Sequence, residues 1–303
     1  MRVAVTGATG MIGRALVREL IERGDDVTAL SRDADRARER LGEVQAFAWP
    51  DPKSAPPPAE ALRGRDAVVN MLGEPIAQRW TDSARREILD SRVLGTRNLI
   101  AGIEALPENE RPRVLVSQSG SGWYGARGDE PLDESEPAAD DFPARVTAAW
   151  EAEAERAEGL GLRVVRTRAG VVLSDSGGAL EKMLPPFKLG VGGPVAGGRQ
   201  YIPWIHLDDV IGAVLFCLDT DAATGPVNVC APEPVTNREL SKALGRALRR
   251  PAVLPVPAAA LKALYGEMAT IVLTGARMVP RRLQELGYRF RRTDLEEALR
   301  LVT

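Results

Sequence analysis

Three glycines near the start of the chain have a spacing that suits phosphate chemistry. Gly7, Gly10 and Gly13 follow the apolar run Arg2-Val3-Ala4-Val5-Thr6 and open an amphipathic run from Met11 to Arg23. In a strand, turn and helix of this order, the glycines permit a tight turn, close approach to a diphosphate and helix–strand packing. Unpaired N–H groups and the helix dipole favour negative charge there. The pattern predicts a dinucleotide site rather than an ordinary strand–helix turn, with contacts from Gly7, Thr9, Gly10, Met11, Ile12 and Gly13.

The end of the second predicted strand, Asp26 to Leu30, bears on which dinucleotide is bound. An acidic residue there would hold the ribose 2′-hydroxyl of NAD, but this chain has Ser31 and Arg32, which suit the 2′-phosphate of NADP. Asp33 and Asp35 lie close by and keep NAD(H) open as the less favoured cofactor. Arg32 could also be a solvated residue at a helix start. The sequence therefore favours NADP(H).

A buried strand and a long helix supply further candidates. The strand predicted from Asp66 to Gly73 ends on the same sheet edge as the glycine turn, where a glycine would let a cofactor pass close to the backbone. The predicted cofactor contacts in this segment are Leu72, Gly73 and Glu74. The segment from Trp80 to Ala105 has the apolar spacing of one helix, with Thr81 as its N-cap, and it carries Arg92.

Hydroxyl groups cluster where a fifth strand, Arg113 to Val116, is predicted to end. The strand runs into Ser117-Gln118-Ser119-Gly120-Ser121-Gly122-Trp123-Tyr124-Gly125. Because open α/β sheets bind ligands at the carboxyl ends of their strands, this loop is a candidate site. Arg199 and Trp204, in and after a later segment rich in glycine and proline, are candidate substrate contacts. The alternative for Arg199 is that it caps a loop, and the alternative for Trp204 is that it is a core residue.

Composition and charge exclude several classes of function. The 303 residues carry 40 basic and 42 acidic side chains, so we expect no nucleic acid and no membrane partner. No apolar run is long enough to span a bilayer, and the glycine turn follows Met1 too closely to leave room for a secretory signal. These features predict a cytoplasmic protein. Cys217 and Cys230 lack metal-ligand spacing, so we expect no metal site.

Strands alternate with helices along the chain in the order typical of an α/β fold. The β–α–β units predict a Rossmann doubly wound parallel sheet with helices on both faces and a smaller C-terminal substrate-binding domain. We expect residues 1–170 with 203–230 to form the dinucleotide-binding domain, and residues 171–202 with 231–303 to form the substrate-binding domain. Pro185 and Pro186 are expected to interrupt a helix predicted around Leu180 to Leu189.

These motifs together resemble those of an extended short-chain dehydrogenase/reductase of the NAD-dependent epimerase/dehydratase branch. The residues that carry the resemblance include the glycine turn, Val93-Leu94-Gly95-Thr96 and Ile205-His206-Leu207-Asp208-Asp209. Longer strings are similar to the atypical subgroup of sugar-nucleotide epimerase-like proteins, among them Gly73-Glu74-Pro75-Ile76, Trp150-Glu151-Ala152-Glu153 and Lys182-Met183-Leu184-Pro185-Pro186-Phe187. The resemblance implies a dinucleotide-dependent enzyme with a small-molecule substrate, either a monomer or a homodimer.

The proton-transfer pair of the wider family is missing from this chain. The resemblance implies a tyrosine and, four residues later, a lysine, but the matching positions hold Pro143 and Thr147. The family's serine carries over as Ser119, whereas Arg92 stands where the long helix usually has an asparagine. Tyr124 could replace the missing phenol, with Arg92 as the nearby cation that tunes the pKa of its hydroxyl. A structural contact with the cofactor is the alternative for Tyr124.

Two other positions bear on the substrate and the base. Ile202 stands where epimerases place an arginine for a sugar-nucleotide diphosphate, so the resemblance does not establish a nucleotide-sugar substrate. His206, the sole histidine, is a candidate base, but in the resembling family it belongs to a structural turn.

Two classes of function remain open. One is an NADP(H)-dependent oxidoreductase or epimerase-like enzyme whose proton transfer is rebuilt around Ser119, Tyr124 and Arg92. The other is a non-catalytic NADP(H)-binding redox sensor or scaffold that kept the cofactor site and lost the chemistry. The segments suited to a small ligand favour the enzyme, whereas the loss of both the tyrosine and the lysine favours the sensor.

Overall fold

A seven-stranded parallel sheet forms the centre of the computed structural model, which describes residues 1–303. The strands are β1 (Arg2–Thr6), β2 (Asp26–Ser31), β3 (Gln45–Ala48), β4 (Ala67–Asn70), β5 (Val114–Gly120), β6 (Pro131–Leu132), β7 (Arg163–Ala169), β8 (Val171–Leu173), β9 (Tyr201–Ile202), β10 (Trp204–His206), β11 (Gly225–Val229), β12 (Val235–Thr236) and β13 (Arg277–Met278). The central sheet has the order β11-β7-β5-β4-β1-β2-β3. This order changes direction between β1 and β4, where open α/β sheets form their binding crevice. The predicted Rossmann fold is confirmed.

Helices flank the sheet and build the C-terminal part of the chain. They are α1 (Met11–Glu22), α2 (Ala34–Leu41), α3 (Ala59–Leu62), α4 (Asp82–Glu104), α5 (Phe142–Glu155), α6 (Ala179–Lys188), α7 (Leu207–Asp219), α8 (Asn237–Leu248), α9 (Ala258–Tyr265), α10 (Thr270–Leu273), α11 (Arg281–Glu285) and α12 (Leu295–Val302). Short 3-10 helices lie at Glu108–Glu110, Ser121–Tyr124, Arg156–Leu160 and Gly266–Ala269. Thr81 caps α4 as predicted, because its side chain accepts a hydrogen bond from Ala84 N at 3.1 Å.

The two faces of the sheet carry separate hydrophobic cores. Because successive strand residues point to opposite faces, Val3 and Val5 pack in one core while Ala4 packs in the other. The first core contains buried residues of α1 and α7, and the second contains buried residues of α4 and α5. This layering fixes the carboxyl ends of the strands at one edge, where the candidate residues lie.

A third hydrophobic core lies in the C-terminal part of the molecule. It joins buried residues of α6, α8 and α12 with residues of β8, β9 and β10. Trp204 belongs to this core although it falls in the range expected for the dinucleotide-binding domain. The two-domain division stays a prediction.

Two local predictions need correction. The strand β4 ends at Asn70 rather than near Gly73, because the Met71 N–H donates to the Thr6 hydroxyl instead of continuing the strand ladder. Pro185 and Pro186 do not interrupt α6, which is continuous from Ala179 to Lys188. Both prolines lie on an exposed stretch, where water can satisfy the carbonyl groups that lose their helical donors.

Candidate functional site

The turn between β1 and α1 has no room for side chains at two of its glycines. Gly7 has a φ of +63°, and a β-carbon there would lie 2.5 Å from Met71 O. A β-carbon on Gly13 would lie 2.3 Å from Gly7 O, so the helix packs on the turn with backbone against backbone. Gly10 is exposed and caps α1 without a side-chain hydrogen bond. The first N–H groups of α1 are therefore available to an anion.

A loop before α6 also reaches this helix end. Gly178 has a φ of +89°, and a β-carbon there would lie 3.1 Å from the Met11 sulfur. Lys182 Nζ donates to Ala77 O at 2.6 Å, which ties α6 to the loop that follows β4. The predicted cofactor groove is thus bounded by the C-terminal part of the chain as well as by the sheet.

The end of β2 presents a cation that has no carboxylate partner. Arg32 is exposed and forms no ion pair. Asp33 is engaged locally, since its side chain accepts from Arg36 N at 3.0 Å and caps α2. Asp35 pairs with Arg38 at 2.6 Å. The two carboxylates that kept NAD(H) open in the sequence therefore have other partners, and this arrangement favours a phosphate beside Arg32.

A buried polar network supports the loop that starts after β4. Asn70 accepts a hydrogen bond from the Thr6 hydroxyl at 2.8 Å and donates to the hydroxyls of Thr96 and Ser117 at 2.9 and 3.1 Å. Trp150 Nε1 donates to the same Thr96 hydroxyl at 3.0 Å. The network joins β1, β4, β5, α4 and α5. It therefore fixes the end of β4, where the loop with Leu72, Gly73 and Glu74 begins.

Arg92 is a partly buried cation beside this loop. Its Nη1 donates to Glu74 O at 2.9 Å and to Ile88 O at 3.0 Å, and its Cζ lies 5.1 Å from the ring centroid of Trp150. A β-carbon on Gly73 would lie 2.9 Å from Arg92 Cζ, so a side chain there would displace the guanidinium from its present position. Burial lowers the pKa of Arg92 to about 10, although the charge of Glu74 acts in the opposite direction.

Ser119 belongs to a buried group of charged and polar side chains on β5, α5 and β7. Its hydroxyl donates to Glu151 Oε1 at 2.7 Å. Arg168 Nε and Nη2 donate to the two oxygens of Glu151 at 2.8 and 2.9 Å, which forms a bidentate ion pair. Ser119, Glu151 and Arg168 are 3%, 2% and 2% exposed. The carboxylate therefore has a fixed orientation next to the serine oxygen.

Tyr124 lies in the same group, but its partner is not the predicted one. Its hydroxyl has two acceptors in reach, Asn228 Oδ1 at 2.7 Å and Asp133 O at 3.0 Å, and it accepts from Arg168 Nη1 at 3.2 Å. The predicted partnership with Arg92 is therefore wrong, because Arg168 is the adjacent cation. Tyr124 has no exposed surface, and burial raises its pKa to about 12 although Arg168 acts to lower it. These features favour a structural role over a proton-transferring role.

The positions that match the missing tyrosine and lysine lie on α5. Pro143 packs beside the loop after β5, where a β-carbon on Gly122 would lie 3.0 Å from its side chain. The Thr147 hydroxyl donates to Pro143 O and Ala144 O in its own helix, both at 3.0 Å. Neither residue offers a titratable group to a ligand, so proton transfer would need another residue.

The two predicted substrate contacts lie in different environments. Arg199 is exposed at the end of a loop and makes no hydrogen bond. Trp204 is 1% exposed and packs in the third hydrophobic core. The prediction that Trp204 touches substrate is not supported, because its ring is enclosed by core side chains.

His206 has a structural environment. Its Nδ1 accepts from Asp208 N at 3.1 Å and caps α7. Burial lowers its pKa, while the charge of Asp208 acts to raise it. This helix cap agrees with the structural role that the resemblance implies.

Glu151, Arg168 and Asn228 were not predicted as site residues, although Glu151 belongs to one of the strings that carry the resemblance. A signal for Arg168 exists, since a charged residue within an interior strand of a sheet needs a buried partner. Its partner could not be identified, because Glu151 lies on the preceding helix at a distance that depends on packing. Asn228 is further away in the chain and joins the group only because β11 pairs with β7.

No group of three or more His, Cys, Asp or Glu side chains is arranged to hold a metal ion. None of the helices combines the length and the apolar character that crossing a membrane requires.

Comparisons with known proteins give consistent matches. A model of the NAD dependent epimerase/dehydratase family matches residues 3–230. A model of a domain of unknown function, DUF1731, matches residues 256–302. The chain is 36% identical to human epimerase family protein SDR39U1, with 99% of each chain covered. It is 34% identical to Bacillus subtilis epimerase family protein YfhF, with 99% of this chain and 97% of the relative covered.

Solved structures are similar over the whole chain. The crystal structure of human SDR39U1 (isoform 2) with NADPH has a TM-score of 0.89 and 35% identity, and covers 100% of this chain and 99% of that one. A crystal structure of UDP-galactose 4-epimerase has a TM-score of 0.76, 21% identity and covers 100% of this chain and 97% of that one. The latter likeness supports the fold alone. Together the matches confirm the resemblance found in the sequence.

Proposed function

Because the chain belongs to the NAD dependent epimerase/dehydratase family, we propose that it is an NADP(H)-dependent oxidoreductase or epimerase-like enzyme acting on a small molecule. The observation that carries this proposal is the bare N-terminus of α1 behind the glycine turn, with unpaired Arg32 at the end of the neighbouring strand β2. A similar protein, human SDR39U1, has been crystallised with NADPH.

The residues present fit this cofactor. The N–H groups at the start of α1 suit the diphosphate, and a β-carbon on Gly7 or Gly13 would close the turn that presents them. Ser31 and Arg32 suit the 2′-phosphate, and the backbone of Leu72, Gly73 and Glu74 suits the ribose on the far side of the turn. When bound, NADP(H) supplies or accepts a hydride.

Ser119 and Glu151 are the residues best placed to move a proton. The Ser119 hydroxyl already donates to Glu151 Oε1, so its oxygen can accept a hydrogen bond from a substrate hydroxyl. During alcohol oxidation, the substrate proton would pass to Ser119 Oγ while the serine proton passes to Glu151 Oε1. Arg168 keeps the carboxylate in position through two hydrogen bonds. This relay would replace the tyrosine and lysine of the wider family.

The second candidate is a non-catalytic NADP(H)-binding redox sensor or scaffold. It is favoured by the environment of α5, where the Thr147 hydroxyl is turned into its own helix. The complete burial of Tyr124 favours it as well. Both candidates share the cofactor, so binding alone does not separate them, whereas transfer of a hydride does.

Titration with NADPH and NADH tests the shared part of the proposal. We expect NADPH to quench tryptophan fluorescence at concentrations about tenfold or more below those needed for NADH, because Arg32 adds a charge-assisted contact. Failure of both dinucleotides to bind would contradict both functions. Tighter binding of NADH would contradict the assignment of Arg32.

Other properties stay predictions from the sequence. We propose a cytoplasmic protein that is a monomer or a homodimer and that has no nucleic acid or membrane partner. Size-exclusion chromatography with light scattering would determine the oligomeric state.

A further inference from the structure

Arg92 has hydrogen-bond donors that the protein does not use. Nη1 is occupied by the carbonyl groups of Glu74 and Ile88. Nε and Nη2 make no hydrogen bond, yet neither is among the atoms that are buried without a partner, so both reach the molecular surface. These two atoms form one edge of the guanidinium, and that edge matches the two oxygens of a carboxylate.

Gly73 covers one face of the guanidinium, and Trp150 lies near its Cζ. We take the unbonded edge as the point of contact for a ligand. A β-carbon on Gly73 would lie 2.9 Å from both Cζ and Nη2 and 3.2 Å from Nε, distances that place Gly73 over a face rather than beyond the edge. The Trp150 ring lies 5.1 Å from Cζ. Trp150 is itself held by its hydrogen bond to Thr96. The cation therefore has a fixed orientation at the carboxyl edge of the sheet.

The charge of Arg92 is uncompensated. No carboxylate lies within ion-pair distance, and Glu74 contributes only its backbone oxygen and a longer-range charge. Arg168, the one arginine that is fully buried, has a carboxylate partner in Glu151. Desolvation lowers the pKa of Arg92 to about 10, which agrees with a cation that lacks an anion. A bound anion would supply what the protein omits.

We propose that Arg92 Nε and Nη2 bind a carboxylate of the substrate, so that the substrate is a small carboxylic acid bearing the reacting hydroxyl or carbonyl group. This inference rests on the proposed function, which supplies the hydride chemistry. It changes the role of Arg92 from a cation that tunes Tyr124 to a residue that binds and orients substrate.

The diphosphate of the cofactor is the alternative anion that the free edge of the Arg92 guanidinium would bind. The proposed function gives that diphosphate its own partners at the N-terminus of α1, and the 2′-phosphate its own partner in Arg32. The nicotinamide ribose offers neutral hydroxyl groups, which would leave the charge of Arg92 without a counter-ion. A substrate carboxylate satisfies both the geometry and the charge.

Oxalate is a suitable probe, and oxamide is its neutral isostere. We would titrate each into the protein–NADPH complex and follow the nicotinamide fluorescence, using wild type, Arg92→Gln, Arg92→Lys and Arg97→Gln. Arg97 lies on the same helix, but it is exposed and paired with Glu153, so its variant is the matched control. We expect oxalate to bind more tightly than oxamide and to lose about tenfold or more in affinity in Arg92→Gln. Arg92→Lys should recover little, because lysine lacks the planar fork.

Three results would overturn the inference. Oxalate could fail to bind wild type, or it could bind Arg92→Gln as tightly as wild type. Alternatively, Arg92→Gln could lower the affinity for NADPH instead of the affinity for oxalate. The last result would assign Arg92 to the cofactor. If wild type did not bind NADPH at all, the proposed function would fail separately.

A measurement without substitutions covers the case in which the Arg92 variants do not fold. Phenylglyoxal modifies accessible arginines, and peptide mass spectrometry can follow Arg92 and Arg97 in wild type. We expect oxalate, but not oxamide, to protect Arg92 while leaving Arg97 reactive. Equal modification of Arg92 with and without oxalate would overturn the inference.

Discussion

The two sides of the crevice at the carboxyl edge of the sheet differ in how their polar groups are paired. On the side of β1 and β2, the N–H groups at the start of α1 and the Arg32 side chain have no side-chain partners. On the side of β5 and β7, Ser119, Glu151 and Arg168 are buried and hydrogen-bonded to one another. We propose that a ligand completes the first side, whereas the second is preorganised within the protein.

Arg92 lies between these extremes, because one part of its guanidinium is bonded and the other part is free. The difference has energetic consequences. Substitutions on the preorganised side should reduce stability, since they leave buried groups unpaired. Substitutions of open charges on the ligand side should reduce binding while leaving the fold nearly unchanged.

The largest effect is expected for Glu151→Ala. Removing the carboxylate leaves Arg168 buried and uncompensated, which should lower the free energy of unfolding by about 3–5 kcal/mol. The matched control is Glu155→Ala on the same helix, where the side chain is half exposed and pairs with Arg166 at 3.2 Å. Because Arg166 is 13% exposed and Arg168 only 2% exposed, the control should lower the free energy of urea unfolding by less than Glu151→Ala does. Equal losses in the two variants would contradict the contrast.

Gly13→Ala should affect both stability and binding. A β-carbon would lie 2.3 Å from Gly7 O and 2.8 Å from Ala8 Cα, and backbone atoms cannot move aside easily. We expect the free energy of unfolding, measured by thermal denaturation, to fall by about 3 kcal/mol and NADPH to bind more weakly. Gly159→Ala, where a β-carbon meets no atom within 4 Å, is the control. A stable Gly13→Ala protein with normal NADPH affinity would refute the tight turn.

Arg32→Ala should separate binding from stability. Loss of a charge-assisted contact to the 2′-phosphate predicts NADPH affinity about 10- to 100-fold lower, with NADH affinity and melting temperature unchanged. Arg40→Ala, at another exposed arginine without an ion pair, is the control and should leave both affinities unchanged. Parallel losses for NADPH and NADH would show that Arg32 does not distinguish the two cofactors.

The smallest effect concerns Tyr124→Phe. Removal of the hydroxyl leaves Asn228 with one partner fewer and should cost about 1 kcal/mol at neutral pH. Burial raises the pKa of Tyr124 from 10.0 to about 12, so its protonated form is favoured in the folded state. Its contribution to stability is present below pH 10 and is lost as the pH rises towards 12.

Urea unfolding between neutral pH and pH 12 measures this dependence. The wild-type curve should fall more steeply than the Tyr124→Phe curve over the upper part of the range. Parallel curves would mean that Tyr124 is not protected from ionisation by the fold.

The same contrast explains what could be predicted from the sequence. The glycine turn was accessible because it depends on backbone sterics among residues close in the chain. The doubly wound sheet was accessible because apolar runs and turns alternate regularly. Capping of α4 by Thr81 could also be predicted, since it depends on neighbouring residues, whereas the structural turn at His206 was implied by the family resemblance.

The preorganised side depended on contacts between distant segments. Glu151 meets Arg168 only through the packing of α5 on β7, and Asn228 meets Tyr124 only through the register of β11 on β7. Nothing local in the sequence distinguishes Arg92 from Arg168 as the cation beside Tyr124. The prediction that Trp204 contacts substrate failed for the same reason. Its ring packs in the third core, which is built from segments that are distant in the chain, from β8 to α12.

The central claim is that the preorganised side, through Ser119, performs chemistry on a substrate held beside NADP(H). We would incubate wild type with NADPH carrying deuterium at the transferable position and with small carbonyl compounds, both 2-oxo acids and neutral aldehydes. Mass spectrometry would detect deuterium in the products. We predict transfer to at least one 2-oxo acid, lost in Ser119→Ala although that variant still binds NADPH. Tight NADPH binding by wild type without transfer to any compound would contradict the claim and favour the sensor.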